Sequence, residues 1–253
     1  MPVTIAVANQ KGGVAKTTTT LNLAAGLADH AHRVLIVDLD PQANATASTP
    51  IDLEQAANLS MHSVLGELKP ITSIIQSAWA RVDIAPSSIQ VARLEPTLSG
   101  ALDVYRLKEA LEPVRDYEFI ILDCPPSLGP LTLNALVAAS HVLVPVKPAT
   151  YGLSAVSDFE QTLKQVQRLL NPTLQLLGIV ITQWDARTVI AREATDYLEA
   201  QYGNHIMDAR VRVNVRLDEA VSAQESIFTF DPTSTGAQDY RALTEEVLKR
   251  VRD

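Results

Sequence analysis

Apolar positions along this chain follow two alternating rhythms. Short runs rich in β-branched residues, at Val3–Asn9, Val34–Leu39, Val82–Ala85, Phe119–Asp123, His141–Val146 and Leu174–Thr182, have the near-continuous hydrophobicity of strands buried on both faces. Longer segments between them carry a helical period. Lys16–Asp29 puts Leu21, Ala24, Ala25 and Ala28 on one face, and the pattern also predicts helices over Thr97–Val114, Leu131–Ala139, Ser154–Leu170, Val189–Tyr202 and Gly236–Arg252. Asn171-Pro172 supplies a stop. Ala43–Ser77 is the least regular stretch and is expected to hold short helices. This alternation predicts an α/β fold, a single doubly wound, mostly parallel sheet flanked by helices. No repeat, low-complexity tract or linker interrupts it, so residues 1–253 read as one domain.

Composition narrows the classes of function. The chain is 47% hydrophobic but only 5% aromatic, and this apolar mass of Ala, Val, Leu and Ile suits helices packed on a parallel sheet. A net charge of -8 argues against a whole-surface nucleic-acid binder and leaves room only for a local basic patch. The single cysteine, Cys124, excludes a disulfide framework within the chain and a cysteine-cluster metal site. The opening MPVTIAVANQ lacks the basic start and cleavage region of a signal peptide. No apolar run reaches the roughly 18–20 residues of a membrane span, so a cytoplasmic location is expected.

The segment Asn9-Gln10-Lys11-Gly12-Gly13-Val14-Ala15-Lys16-Thr17-Thr18 follows a predicted strand and opens a predicted helix, the context a phosphate-binding loop requires. Gly12 and Gly13 let the backbone turn sharply and approach a phosphate, which backbone N–H groups and the helix N-terminus then bind. Lys16 would pair with the β- and γ-phosphates, and the Thr17 hydroxyl would ligate Mg²⁺. The match to G-x-x-x-x-G-K-[ST] is not literal, because Gln10 and Ala15 stand at its two glycine positions. Alanine tolerates positive φ poorly, so residue 15 is expected in an αR-compatible conformation.

Two acidic strand ends accompany the loop. Asp38-Leu39-Asp40-Pro41-Gln42 closes the second strand, with Asp38 and Asp40 on one face at the carboxyl edge where open α/β sheets bind ligands. Ile120-Ile121-Leu122-Asp123-Cys124-Pro125-Pro126-Ser127 places Asp123 at the tip of a buried strand. Cys124 beside it reads as a packing residue.

Together these segments resemble the ParA/MinD-type deviant Walker A ATPases. The family's K-G-G-x-x-K-T-T corresponds to residues 11–18, its D-x-D-P-Q to residues 38–42, and its D-C-P-P to residues 123–126. The likeness continues through Pro145-Val146, Tyr151-Gly152-Leu153, Asp185-Ala186-Arg187-Thr188, residues 214–220 and residues 231–237, which resemble the chromosomal partition ATPases (ParA, also called Soj). The resemblance implies a P-loop NTPase fold with ATP and Mg²⁺ as cofactors. It implies nucleotide binding by Lys11, Gly12, Gly13, Val14, Ala15, Lys16, Thr17 and Thr18. Thr17, Asp40 and Asp123 would serve the metal, with Asp38 assisting near it, and Asp40 would position or activate the attacking water. Lys11 would reach across a two-fold axis to the partner's nucleotide, sandwiching ATP in a homodimer. Lys11, Lys16 and Asp40 thus form the implied catalytic set of a slow ATPase.

The same resemblance implies that the ATP dimer rides DNA of any sequence on the nucleoid, through Arg187 and Arg216, and that a ParB-type or other adaptor protein stimulates hydrolysis. If residues 210–216 are extended, Arg210, Arg212, Asn214 and Arg216 share one face, which adds Arg210 and Arg212 to the patch. Arginine–phosphate contacts of this kind are salt-sensitive and blind to sequence. The chain also departs from the family. I-P-R-N reads Val211-Arg212-Val213-Asn214, E-A-P-S reads Glu219-Ala220-Val221-Ser222, and Gln224-Glu225 replaces a glycine-lysine pair. These changes thin the basic patch.

Other classes fit less well. A MinD-like membrane switch needs a C-terminal amphipathic helix with bulky anchors. The tail's apolar face of Leu243, Val247, Leu248 and Val251 lacks aromatics and is expected to pack on the body, so no stable membrane association is expected. Iron-protein relatives need cluster cysteines, and no ligase substrate motif is evident. A nucleotide-binding scaffold without turnover stays open because of Ala15. With the phosphate loop starting at residue 10, no helix-turn-helix extension is expected.

Overall fold

The computed structural model describes residues 2–149 and 152–252, without the side chains of residues 152–155. Tyr151 therefore lies outside the described residues, as does the side chain of Leu153.

Eight strands, β1 (Val3–Val7), β2 (Val34–Asp38), β3 (Gln76–Trp79), β4 (Val82–Ala85), β5 (Phe119–Asp123), β6 (His141–Val146), β7 (Gln175–Trp184) and β8 (Ile206–Arg212), form one sheet in the order β3-β4-β2-β5-β1-β6-β7-β8. Every neighbouring pair is parallel except β3–β4. The helices are α1 (Lys16–Asp29), α2 (Asn44–Ala47), α3 (Leu53–Asn58), α4 (Met61–Leu65), α5 (Arg106–Leu111), α6 (Pro130–Ala138), α7 (Gly152–Leu169), α8 (Val189–Tyr202), α9 (Val215–Ser222), α10 (Ile227–Phe230) and α11 (Thr235–Arg250).

Side chains alternate across the sheet and feed two cores. Ile5 and Val7 of β1, Ile36 of β2 and Ile121 of β5 pack with Leu23 and Leu27 of α1 and with Tyr240, Leu243 and Val247 of α11. Ala6, Leu35, Val37 and Leu122 face the other way, toward Leu107 of α5, Leu136 of α6 and Phe159 of α7. Burial on both faces is what the continuous apolar runs demand. It also absorbs the tail's apolar stripe, since Leu243, Val247 and Leu248 are buried.

Three expectations need correction. The predicted helix over Thr97–Val114 survives only as α5 and a preceding 3-10 turn, Asp103–Tyr105. Gly100 weakens the run, and Asp103 Oδ2 accepts its N–H at 2.7 Å, a local bond that competes with the helix. The irregular stretch, as expected, holds the short helices α2, α3 and α4, but it ends in the unexpected antiparallel strand β3, whose tight turn to β4 places Arg81 at φ 63 with none of the usual Asn-Gly signal. Residues 210–216 are not one extended run. β8 ends at Arg212, and Asn214 caps α9 by accepting the Arg216 N–H at 2.9 Å, which turns Arg216 onto a helix.

Candidate nucleotide site and arginine face

Parallel pairing brings three strand ends to one level. Val7 of β1 and Asp38 of β2 both sit opposite Asp123 of β5. The carboxyl edge of the sheet thus gathers the phosphate loop after β1 and the acidic ends of its neighbours into one crevice, the expected ligand position in such a fold.

Side chains from distant strands hold the loop. Asn9 Nδ2 donates to Pro145 O at 2.8 Å, while its Oδ1 accepts the Lys11 N–H at 3.0 Å. Thr182 Oγ1 donates to Val14 O and Gln183 Nε2 to Gly13 O, each at 3.0 Å. Lys16 is buried, with its ammonium donating to Lys11 O at 3.0 Å. Burial pulls its pKa below that of an ordinary lysine, against the attraction of Asp123 and Asp40. The ammonium of Lys11 makes no ion pair among the described residues.

Ala15 departs from its αR expectation. It sits at φ 61, ψ 34, in the left-handed region. The turn from Gly13 (φ 70) into α1 requires positive φ there, and the structure imposes it on a residue with a Cβ.

The acidic residues divide by their surroundings. Asp123 accepts from Thr17 Oγ1 at 2.8 Å and Thr20 Oγ1 at 3.0 Å. Asp38 accepts from Asp40 N, Thr46 N and Thr46 Oγ1, so both its oxygens are committed. Asp40 Oδ1 accepts the Gln42 N–H at 2.9 Å. Burial raises the pKa of both Asp38 and Asp123, and mutual repulsion adds to the rise at Asp123. Burial likewise pushes the Cys124 thiol up, which makes it inert.

Thr17, Asp40 and Asp123 are hard oxygen donors, and among the described residues no three His, Cys, Asp or Glu side chains form a metal cage. That donor set fits Mg²⁺, which usually takes one or two protein ligands and completes its shell with phosphates and water. Beside Ala15 and Thr18 opens a cavity of about 380 Å³, lined also by Lys147, Gln183, Asn214 and Asp218.

The four candidate DNA arginines all meet carboxylates. Arg187 pairs with Asp185 at 2.8 Å while its side chain stays 89% exposed. Arg210 pairs with Glu199 and lies over the Trp184 ring. Arg212 binds Asp239 through Nε and Nη2, and its backbone N–H reaches the same carboxylate. Arg216 pairs with Asp231 at 2.9 Å and with Glu219.

A family model described as an AAA domain matches residues 3–176. The chromosome-partitioning ATPase Soj of Thermus thermophilus is 43% identical over 249 residues, covering 98% of this chain and 96% of its own. The chromosome partitioning protein ParA of Caulobacter vibrioides is 35% identical over 253 residues, covering 98% of this chain and 95% of its own. The chain belongs to the ParA/Soj family of partition ATPases. Among solved structures, the cobyrinic acid a,c-diamide synthase of Mycobacterium smegmatis with bound ATP analogue and magnesium aligns at a TM-score of 0.87 and 34% identity, covering 100% of this chain and 97% of that one.

In this ParA/Soj family member the loop, Asp38, Asp40 and Asp123 converge on one edge. Arg187, Arg210, Arg212 and Arg216 are dispersed over β8, α9 and the turn before α8. Asn9, Thr20, Thr46, Thr182 and Gln183 were not singled out from sequence. Thr20 had a signal, lying three residues after Thr17 on the same helix face. The partners of Thr182 and Gln183 lie 168 and 170 residues away, beyond any local pattern.

Proposed function

We propose that this chain is an ATP-dependent, dimerising partition ATPase that binds DNA without sequence preference in its ATP state and hydrolyses ATP slowly under the stimulus of an adaptor protein. The observation that carries this reading is the contact of Thr17 Oγ1 with Asp123 Oδ2 beside the buried Lys16. It unites the loop's first helical turn with the acidic strand tip, as phosphoryl transfer requires.

Lys16 neutralises the β- and γ-phosphates, and the N–H groups of residues 12–18 cradle them. Thr17 and Asp123 would hold Mg²⁺, which when bound neutralises phosphate charge. Asp40 has one oxygen engaged by Gln42, and its other oxygen orients the attacking water. Lys11, whose ammonium is uncommitted among the described residues, extends to the partner's nucleotide. The cavity beside Ala15 takes base and ribose.

For DNA, Arg187 and Arg216 are the contacts that the family resemblance supplies, and Arg187 is the more exposed of the two, its side chain 89% against 44%. Arg210 and Arg212 are held to Glu199 and Asp239 and serve the fold first. Phosphates must displace Asp185, Asp231 and Glu219 from Arg187 and Arg216, which lowers affinity. The name of the M. smegmatis structure points instead to amide formation. A thiol-dependent ammonia-releasing centre would need an exposed thiolate, and Cys124 is buried with its thiol pushed up.

The test is sedimentation of the purified protein with ATP, ADP or no nucleotide. Dimerisation with ATP alone, abolished together with ATP binding in Lys16→Ala, is the expected result. Unchanged ATP affinity in Lys16→Ala overturns the site assignment.

A further inference from the structure

Strands β2 and β4 end their pairing at Val37 and Ala85. Beyond that point Ser87 N finds a side chain and donates to Thr46 Oγ1 at 2.9 Å. The same hydroxyl donates to Asp38 Oδ2 at 2.7 Å, and Thr46 N donates to that oxygen at 2.9 Å. Asp38 Oδ1 in turn accepts the Asp40 N–H at 3.0 Å. Thr46 is 2% exposed and Asp38 is 0% exposed, so these bonds do not compete with bulk water. Ala43, at φ 53, folds α2 back so that Thr46 meets Asp38. A hydroxyl has a single proton. Giving it to Asp38 fixes the Thr46 rotor and aims a lone pair at Ser87, so the chain Ser87–Thr46–Asp38–Asp40 has one orientation.

We propose that Thr46 is a positioning residue for hydrolysis, an inference that rests on reading the chain as an ATPase. Thr46 holds Asp38, Asp38 holds the backbone of Asp40, and the Asp40 carboxylate is kept at the angle that orients water. The other end of the chain, Ser87, opens the segment after β4, so the placement of that segment is coupled to Asp40 through one hydroxyl. This gives Asp38 a task other than metal binding, the placement of the Asp40 backbone.

Thr46→Val keeps shape and removes both bonds, whereas Thr46→Ser keeps the hydroxyl. The Val variant should turn over ATP roughly 10- to 100-fold more slowly, as a displaced catalytic group does, with an ATP Kd within about threefold of wild type. Its Asp40 and Ser87 amides should exchange with solvent at least about tenfold faster without nucleotide, and the Ser variant should restore both properties. Wild-type turnover in Thr46→Val, or a loss of ATP affinity matching the loss of rate, overturns the proposal. If wild-type protein failed to bind ATP, the functional reading would fall by itself. Amide exchange would still decide whether Thr46 holds the segment, since unchanged exchange in Thr46→Val overturns it and faster exchange rescued by Ser sustains it.

Discussion

Thr17 and Asp123 are 106 residues apart in sequence, yet the hydroxyl of one donates to the carboxylate of the other at 2.8 Å. That bond ties α1 to the tip of β5 and makes a phosphate loop and an acidic strand end into one site. Asp123 is also fully buried, with Asp38 opposite it on the neighbouring strand.

Function and stability therefore pull in opposite directions at Asp123. Burial and Asp38 raise its carboxyl above the ordinary value, so protonation favours the folded state. The resulting stabilisation is complete below about pH 4 and is lost as pH rises through the raised folded-state value. Asp123→Asn should exceed wild type at pH 8 without divalent cations by roughly 1–3 kcal/mol in urea unfolding, while losing Mg²⁺-dependent turnover. A variant less stable than wild type under those conditions contradicts the electrostatic account.

Ala15 gives a second stability test. Its φ of 61 costs an alanine more than a glycine. Ala15→Gly should raise the unfolding free energy by up to about 1 kcal/mol, read as a higher urea midpoint at unchanged m-value, the relief of strain exceeding glycine's extra unfolded-state entropy. A lower midpoint would mean that the Cβ contributes packing that outweighs the strain.

The arginine face separates into two kinds of residue. Arg212→Ala leaves Asp239, which is 9% exposed, without its guanidinium and should cost roughly 1–2 kcal/mol. Arg187→Ala removes an exposed pair and should change stability by less than about 0.5 kcal/mol. Denaturant curves for the two variants check this ordering.

Asp40→Ala should bind ATP and hydrolyse it roughly 100-fold more slowly, accumulating as a dimer by size exclusion with light scattering. A monomer in ATP would contradict the sandwich model.

The sheet was legible because burial on both faces writes itself as unbroken apolar runs. β5 and β6 have the predicted bounds, and α1 follows its loop at the predicted residue. Local signals failed where the competing interaction was distant or subtle. Gly100 and Asp103 broke a helix that periodicity favoured, and Asn214 turned an alternating run into a cap. At the candidate site, the meeting of the loop, Asp38, Asp40 and Asp123 at one sheet edge was legible from the order of the motifs and the strand ends. Thr46, Thr182 and Gln183 were not, because their roles arise only when strands far apart in sequence end side by side. The pairing of Arg212 with Asp239 and of Arg216 with Asp231 was equally hidden, since those partners lie 27 and 15 residues away.

The most direct test of the nucleotide switch is binding to a random-sequence DNA duplex with ATP, ADP or no nucleotide, at two salt concentrations, for wild type and Arg216→Glu. The account predicts binding by wild type with ATP alone, weaker at the higher salt, and none by Arg216→Glu although it still dimerises. Binding independent of nucleotide, or no binding by a protein that dimerises normally with ATP, would contradict it.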